Sequence, residues 1–285
     1  MQGEQAFWLG RVRDREGQIQ WVRAITGGEA PGPETEIEAI ASPFADPEGD
    51  PWVVVSGAAG LAGGPRGRLA DFALEAPLAP SKVLGVGRNY RAHAAELGNE
   101  VPAEPLLFFK PPSCLVPSGA AVELPRGFER IDLEGELVVV IGRRARAVAA
   151  ADAWRHVAGY ALGDDVSSRE LQQRDKQWTR AKGFDGFGPL SAMVRLTPPG
   201  YELDAAALRL RASLDDRPCQ DATADAMIFP IPALIEVISA CMTLLPGDII
   251  FTGTPAGVAP LAPGQVVRIH SEGPLALMPV VTPLT

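Results

Sequence analysis

The stretch that most constrains the fold of this chain is IDLEGELVVVI, at Ile131–Ile141. It opens with acidic residues and passes directly into an apolar run rich in valine, which predicts a strand that enters a hydrophobic core. Glu134 and Glu136 stand two positions apart, so in a strand both side chains project from the same face. Gly135 between them leaves room for a close approach on the other face. The fold must therefore place two carboxylates beside a core.

Two carboxylates at such a place repel each other, and each costs free energy to desolvate. A divalent cation would remove both penalties. The competing interpretation is a solvent-facing strand end whose glutamates confer solubility, and an isolated Glu-x-Glu pattern favours it. A third acidic group changes the comparison, because Asp164 and Asp165 follow an apolar strand predicted at Val157–Leu162. Three carboxylates without histidine or thiolate partners suit a hard ion such as Mg²⁺. Capping of the following turn or helix by Asp164 remains an alternative.

The pattern after residue 81 is that of many short strands with few helices. Strands are predicted at Lys82–Val86, Leu106–Phe109, Ile131–Ile141, Val157–Leu162, Ile249–Phe251 and Val266–Ile269, and helices at Arg91–Leu97 and Ile231–Thr243. Because strands and helices do not alternate regularly, the pattern argues against a Rossmann fold or a (β/α) barrel. We expect an α+β, mainly β architecture.

The first part of the chain carries no cluster of catalytic residue types. Two apolar segments around Phe7-Trp8-Leu9 and Ile19–Val22 flank the turn-like Asp14–Gly17, which predicts a small hairpin. A stretch at 75–81 containing two prolines resembles a linker. We therefore predict a small, β-rich N-terminal domain at residues 1–78 and a catalytic domain at residues 79–285.

Composition excludes several classes of function. The net charge is −9, and no run of lysine and arginine forms a phosphate-binding stripe, so nucleic acid is a poor candidate partner. The three cysteines are widely separated and match no zinc spacing, which favours a reduced, intracellular setting. The first residues lack the pattern of a signal peptide, and no apolar stretch is long enough to cross a bilayer. A cytoplasmic protein is the expectation.

Two further segments carry residue types that catalysis uses. If Arg91–Leu97 is helical, His93 and Glu96 are neighbours on one face, where a carboxylate can orient an imidazole that activates water. A surface ion pair is the alternative. Lys182 lies in the glycine-rich segment RAKGFDGFGP, where it could offset charge on an oxyanion; a solvated loop lysine is the alternative. The turn around Thr254 presents a hydroxyl and backbone N–H groups but does not match a P-loop.

These segments together resemble the fumarylacetoacetate hydrolase family. The resemblance runs from about residue 82 to the C-terminus and rests on six segments in order: GRNYRAHAAELGNEVPAEPLLFFKP, LEGELVVVIG, GYALGDDVSSRE, WTRAKGFDGFGPL, QDATADAMIF and GDIIFTGTPAGV. It implies rolled, mixed β-sheets of the family type, a homodimer, and a variable N-terminal domain at residues 1–78.

The resemblance also implies roles for individual residues. Glu134, Glu136 and Asp165 match the family's ligands for Mg²⁺ or Mn²⁺. His93 and Glu96 match the dyad that activates water or moves a proton, and Lys182 matches the lysine beside the substrate's oxygens. Residues at positions where family members contact substrate are Arg88, Tyr90, Gln172 and Thr254.

Departures from the family pattern affect the choice of substrate. Asp164 replaces the usual asparagine before the ligand, Glu170 replaces the usual aspartate of Ala-Arg-Asp, and the segment after Pro189 lacks a common glycine and tryptophan. Cleavage of an acylpyruvate such as fumarylpyruvate is the first expectation. Isomerisation of a 2-hydroxyhepta-2,4-diene-1,7-dioate, as in aromatic catabolism, is second. Decarboxylation of a 2-oxo acid such as oxaloacetate, or dehydration, is third. A catalytically silent binding protein is the alternative outside enzymes.

Overall fold

Strands dominate the fold, as the α+β, mainly β prediction requires. The computed structural model describes residues 5–46, 48–57, 61 and 64–285. The first strands are β1 (Ala6–Arg13), β2 (Ile19–Thr26), β3 (Glu36–Ile40), β4 (Arg66–Arg68), β5 (Ala73–Leu74), β6 (Val83–Gly87), β7 (Leu106–Lys110), β8 (Leu115–Pro117), β9 (Ile131–Asp132) and β10 (Gly135–Ile141). The remaining strands are β11 (Val157–Asp164), β12 (Ser167–Ser168), β13 (Gly188–Leu190), β14 (Val194–Leu196), β15 (Arg209–Leu214), β16 (Arg217–Thr223), β17 (Ile249–Phe251), β18 (Val266–Glu272) and β19 (Val280–Pro283).

The helices are short and lie between strands. The α-helices are α1 (Pro51–Gly57), α2 (Arg91–Glu96), α3 (Arg169–Asp175), α4 (Thr179–Lys182) and α5 (Ile231–Cys241). Single 3₁₀ segments occupy Leu69–Asp71, Pro112–Cys114, Ala150–His156 and Ala224–Ala226. The two predicted helices are confirmed as α2 and α5, and α5 is entered through Pro230 and Pro232, which fit the first turn of a helix. None of the described helices has the length and apolar character that crossing a bilayer requires.

Mixed pairing joins most strands into one large sheet. Within the described residues this sheet has 13 strands, with the main order β4-β3-β2-β1-β14-β11-β10-β17-β6-β7. Most neighbours are antiparallel, whereas β17 runs parallel to β6 and β13 parallel to β8. A 4-stranded sheet, β16-β15-β18-β19, and the 2-stranded pair β12-β9 complete the fold. The predicted mixed sheets are thus confirmed.

The central strand β10 separates two hydrophobic cores. Leu137, Val139 and Ile141 point into the core that the small sheet and α5 share, whereas Val138 and Val140 point into a second core. All residues of β10 are buried, so the strand has no solvent-facing side. This explains why its sequence is an unbroken apolar run rather than an alternating one. The acidic start of the same strand is therefore held at the border of two cores.

The strand predicted at Ile131–Ile141 is interrupted, which corrects the sequence interpretation. Residues 131–132 leave the large sheet and pair with β12, and β10 begins only at Gly135. The N–H of Glu134 donates to the Asp164 side chain at 2.8 Å, and the carbonyl of Glu134 accepts from the N–H of Asp165 at 2.8 Å. Because these partners satisfy the backbone of Glu134, the chain can leave the ladder without unpaired polar groups.

The N-terminal segment extends the large sheet. The predicted hairpin is present as β1 and β2, paired from Ala6↔Thr26 to Arg13↔Ile19. β1 also pairs with β14, and its Phe7 and Leu9 belong to the second core together with Val138 and Val140 of β10. The proposed division at residue 78 stays a prediction; parts of the first segment, residues 1–4, 47, 58–60 and 62–63, lie outside the described residues.

Candidate metal centre and catalytic cavity

Four neighbouring strands bring the acidic segments to one edge of the large sheet. β10 begins where its antiparallel neighbour β11 ends, with Gly135 opposite Asp164. β17 ends beside the start of β10, so the N–H of Gly253 donates to Glu136 Oε2 at 2.7 Å. β6 runs parallel to β17 and ends just before Arg88, at the same edge. The predicted acidic pair and the segments around Arg88 and Thr254 therefore meet.

Glu134, Glu136 and Asp165 form a buried acidic triad. One carboxylate oxygen from each residue lies within 4.8 Å of the corresponding oxygens of the other two, and all three side chains are buried. Metal–oxygen distances of about 2.0–2.6 Å place two ligand oxygens no more than about 5 Å apart. The spacing of the triad thus fits a single Mg²⁺ or Mn²⁺ ion, and the donors are all oxygens, which such hard ions prefer.

The charge of Glu136 shows why the triad needs a cation. Within the part of the chain that the structure describes, no lysine or arginine forms an ion pair with Glu136. Burial first, and then the charges of Asp165 and Glu134, raise the pKa of Glu136 well above its ordinary value. A carboxylate held in this way is costly when ionised. A divalent ion between the three oxygens would offset that cost, so the donor set fits a metal.

Lys182 and Arg169 partly balance the other members of the triad. Lys182 Nζ donates to Glu134 Oε2 at 2.7 Å and also contacts Asp165 Oδ2, and Arg169 donates to Glu134 Oε1 at 2.7 Å. Burial raises the pKa of Glu134, but the charges of Lys182 and Arg169 outweigh it and lower that pKa overall. Glu134 is therefore ionised in this arrangement. Lys182 lies deep in the site, rather than in a solvated loop.

Lys110 is a part of the site that the sequence analysis missed. Its side chain is fully buried, and its Nζ donates to Asp165 Oδ1 at 2.7 Å and to the carbonyl of Phe187 at 2.9 Å. Arg169, which contacts Glu134, was missed too. The available signal was a lysine directly after an apolar strand and before a proline, in LLFFKP, since a buried lysine needs a carboxylate partner.

Asp164 holds the interrupted strand rather than the following helix. Its Oδ1 accepts from the N–H of Glu134, whereas Ser168 occupies the N-cap position of α3. Its Oδ2 is buried without a hydrogen-bond partner among the described residues, and burial raises the pKa of Asp164 to about 7. Asp164 therefore neither caps α3 nor belongs to the acidic triad.

The predicted dyad faces the triad. His93 is buried on α2, with Nε2 3.7 Å from Glu134 Oε1 and Nδ1 3.6 Å from Glu96 Oε2. These separations are slightly too long for direct hydrogen bonds, as catalytic contacts often are before substrate binds. Burial, more than any neighbouring charge, lowers the pKa of His93. The imidazole is therefore neutral near pH 7 and able to accept a proton.

A cavity of about 740 Å³ opens over these groups. Three of the four residues predicted to contact substrate, Arg88, Gln172 and Thr254, line it, whereas Tyr90 is packed in the core and does not. Its cationic lining residues are Arg88, Arg130, Arg169, Lys176 and Lys182, and its acidic ones are Glu134 and Glu136. The cavity is thus rich in positive charge although the chain carries −9.

Gly257 connects the dyad to the turn after β17, and replacing it by alanine is expected to lower stability. Its N–H donates to both oxygens of Glu96 at 3.1 Å, and its φ is +102°. A Cβ there would overlap the carbonyl oxygen of Cys219. We expect Gly257→Ala to lower the free energy of unfolding by about 2 kcal/mol or more, since backbone strain alone costs about 1–3 kcal/mol.

Gly264→Ala is the matched control, because Gly264 has φ +88° but no atom within 4 Å of an added Cβ. Urea unfolding of both variants measures the difference. Equal losses in the two variants would show that the contact with Cys219 is unimportant.

Comparisons with known proteins identify relatives of this chain. A family model described as fumarylacetoacetate (FAA) hydrolase, C-terminal, matches residues 82–281. The mitochondrial oxaloacetate tautomerase FAHD1 of Oryza sativa subsp. japonica is 46% identical over 202 residues, which cover 68% of this chain and 86% of the relative.

Two solved structures are also similar. That of 2-hydroxyhepta-2,4-diene-1,7-dioate isomerase from Mycobacterium marinum has a TM-score of 0.79 and 35% identity, with 98% of each chain covered. That of fumarylpyruvate hydrolase from Pseudomonas aeruginosa in complex with Mn²⁺ and pyruvate has a TM-score of 0.65 and 29% identity, covering 73% of this chain and 91% of the other.

Proposed function

The chain belongs to the fumarylacetoacetate hydrolase family, and we propose that it is a divalent-metal-dependent hydrolase that cleaves a C–C bond of a small acylpyruvate such as fumarylpyruvate. The observation that carries this proposal is the position of a neutral, buried imidazole directly beside an acidic triad. His93 lies 3.7 Å from Glu134, and Glu96 lies on its other side. Hydrolysis needs such a base close to the group that polarises the substrate.

The charge of the cavity supports an anionic substrate. Five lysine and arginine residues line it against two glutamates, and a divalent ion in the triad would add further positive charge. A small acid with a carboxylate and neighbouring oxo groups offers both the negative charge and the oxygen pair that a hard ion chelates. The complex of the Pseudomonas aeruginosa enzyme with Mn²⁺ and pyruvate supports the same ligand chemistry.

Each residue of the site has its own role in the proposed hydrolysis. A bound divalent cation would supply Lewis-acid polarisation of the substrate's oxygens. His93, oriented by Glu96, takes a proton from water, and the water oxygen bonds to the distal carbonyl carbon. The C–C bond then breaks, its electron pair stays with the pyruvate fragment, and His93 returns the proton to that carbon. Lys182 balances negative charge near the oxygens. The net products are a carboxylate, pyruvate and one proton.

Isomerisation is the second candidate, and one observation favours it. The Mycobacterium marinum isomerase covers 98% of this chain, including the N-terminal segment, whereas the fumarylpyruvate hydrolase covers 73%. An isomerase would use the same dyad to move a proton between two carbons without adding water. Because both reactions would use the same fold and the same charged groups, only their products distinguish them.

A panel of oxo acids with and without Mg²⁺ or Mn²⁺ separates these reactions. We expect fumarylpyruvate to lose its ultraviolet enol band and to yield fumarate and pyruvate in equal amounts. EDTA should abolish turnover, and added Mn²⁺ should restore it. Parallel assays use acetylpyruvate, 2-hydroxyhepta-2,4-diene-1,7-dioate and oxaloacetate, each with product identification by mass spectrometry.

The outcomes of this panel distinguish the alternatives. Conversion of the diene dioate to a product of equal mass, without turnover of acylpyruvates, would replace hydrolysis by isomerisation. Release of CO₂ from oxaloacetate alone would indicate a decarboxylase. Binding of Mn²⁺ without turnover of any acid would leave a catalytically silent binding protein.

A further inference from the structure

The side chain of Gln220 links the segment that carries Glu134 and Glu136 to the turn after β17. It is 1% exposed, and its Nε2 donates to Thr254 Oγ1 at 2.7 Å and to the carbonyl of Pro255 at 2.8 Å. Its Oε1 accepts from the N–H of Gly135 at 2.9 Å. Thr254 Oγ1 in turn donates to the carbonyl of Gly135 at 2.9 Å. One amide therefore holds both the residue between the two glutamates and the turn after β17.

A β-bulge aims Gln220 at this position. In the pairing of β15 with β16, Ala212 lies opposite Gln220 and Ser213 opposite Pro218, which leaves Cys219 as the extra residue. Bulges re-aim side chains and are frequent next to active sites. The carbonyl oxygen of the same Cys219 is the atom that a Cβ added at Gly257 would overlap. The bulged strand of the small sheet thus supports both the metal-ligand segment and the turn that contacts Glu96.

Gly135 makes this close approach possible. A Cβ at Gly135 would lie 2.9 Å from Gln220 Oε1 and 3.3 Å from the Cβ of Ala212. The absence of a side chain between Glu134 and Glu136 lets an amide from another sheet reach the backbone there. The close approach predicted beside Gly135 is therefore made by the side chain of Gln220.

Given the metal centre of the proposed function, we propose that Gln220 is a positioning residue for its ligands. Three hydrogen bonds from one rigid amide fix the backbone of Gly135 relative to Thr254, and so fix the directions in which Glu134 and Glu136 leave the chain. Groups that orient metal ligands typically change metal affinity by about 10–100-fold when they are removed. Only an amide can serve here, because one end must accept from an N–H and the other must donate to two oxygens.

The test is a titration of the full chain with Mn²⁺, followed by electron paramagnetic resonance, together with thermal unfolding in EDTA. We expect Gln220→Met, which keeps the size but loses all three hydrogen bonds, to raise the Kd for Mn²⁺ by about 10–100-fold. Gln220→Asn keeps the amide but is one methylene too short to span its partners, so we expect a smaller rise. KM for the chelating substrate should increase in the same order.

Ser239→Ala is the control for a purely structural loss. Ser239 is also fully buried, and its Oγ accepts from the N–H of Val148 at 2.9 Å, away from the cavity. This variant should lower Tm while leaving the Kd for Mn²⁺ unchanged.

The inference is overturned if Gln220→Met, or Gln220→Asn where the first variant does not fold, lowers Tm but binds Mn²⁺ as tightly as the parent. Failure of the unaltered chain to bind Mn²⁺ is a separate result. It would remove the proposed metal-dependent function, and the role of Gln220 with it.

Discussion

Glu136→Gln is expected to abolish metal-dependent turnover and, at the same time, to make the metal-free protein more stable. Glutamine keeps the shape of the side chain and an oxygen that accepts from the N–H of Gly253. It removes a buried carboxylate that Asp165 and Glu134 repel and that no lysine or arginine in the described chain pairs with. On folding, this side chain must either keep a desolvated charge or take up a proton, and a neutral group of similar volume avoids both costs.

The loss of function follows from the same charge. With one of three carboxylates neutral, the site loses a ligand and much of its attraction for a divalent ion. Because such an ion contributes several kcal/mol to stabilising the transition state, kcat/KM should fall by about 10³-fold or more. Differential scanning fluorimetry should show a higher Tm for the variant in EDTA, and no rise in its Tm on addition of Mn²⁺ at concentrations that stabilise the parent.

Glu38→Gln is the matched control because its carboxylate has the opposite environment. Glu38 is partly buried and forms ion pairs with Arg23 at 2.7 Å and with Arg66 at 2.5 Å. Its neutralisation should lower Tm and leave turnover unchanged. If Glu136→Gln lowered the Tm of the metal-free protein as Glu38→Gln does, Glu136 would be an ordinary structural carboxylate, and the triad would lose its functional interpretation.

Local sequence patterns were sufficient to predict the acidic triad. The two-residue spacing of Glu134 and Glu136 survives the interruption of the strand, because Glu134 directly precedes β10 and Glu136 is its second residue. Asp165 follows β11, the antiparallel neighbour of β10, so the end of one strand meets the start of the next. Residues two positions apart face the same side of a strand, and the end of one antiparallel strand lies beside the start of the next. Both relations are local, so they can be inferred without knowing the remaining fold.

The contacts that other groups make around the triad could not be inferred in this way. Lys110 and Arg169 contact it from separate elements, and Gln220 contacts Gly135, between two of its members, from 85 positions away. Their contacts depend on how the large sheet rolls and how the small sheet packs against it, which no periodicity in the sequence encodes. The packing of Tyr90 could not be inferred from its motif either, since its side chain is buried in the core and does not line the cavity.

His93→Ala is expected to reduce kcat by about 10²–10⁴-fold while leaving the Kd for Mn²⁺ within about twofold of the parent, since general-base catalysis contributes about this much. The imidazole lies beside Glu134 but is not a member of the triad, so its removal opens space without removing an oxygen ligand. His270→Ala, at an exposed position of β18, is the control and should leave kcat unchanged.

Combining His93→Ala with Glu96→Gln tests whether the two residues act as one unit. Glu96 contacts the imidazole on the side away from Glu134, so its proposed contribution passes through His93. Glu96→Gln alone should therefore reduce kcat, but the double variant should be no slower than His93→Ala, as is found for groups that work together. Multiplicative losses would mean that Glu96 acts on substrate or water independently. An unchanged kcat in folded His93→Ala would remove the base from the mechanism, and with it the argument for hydrolysis over metal binding alone.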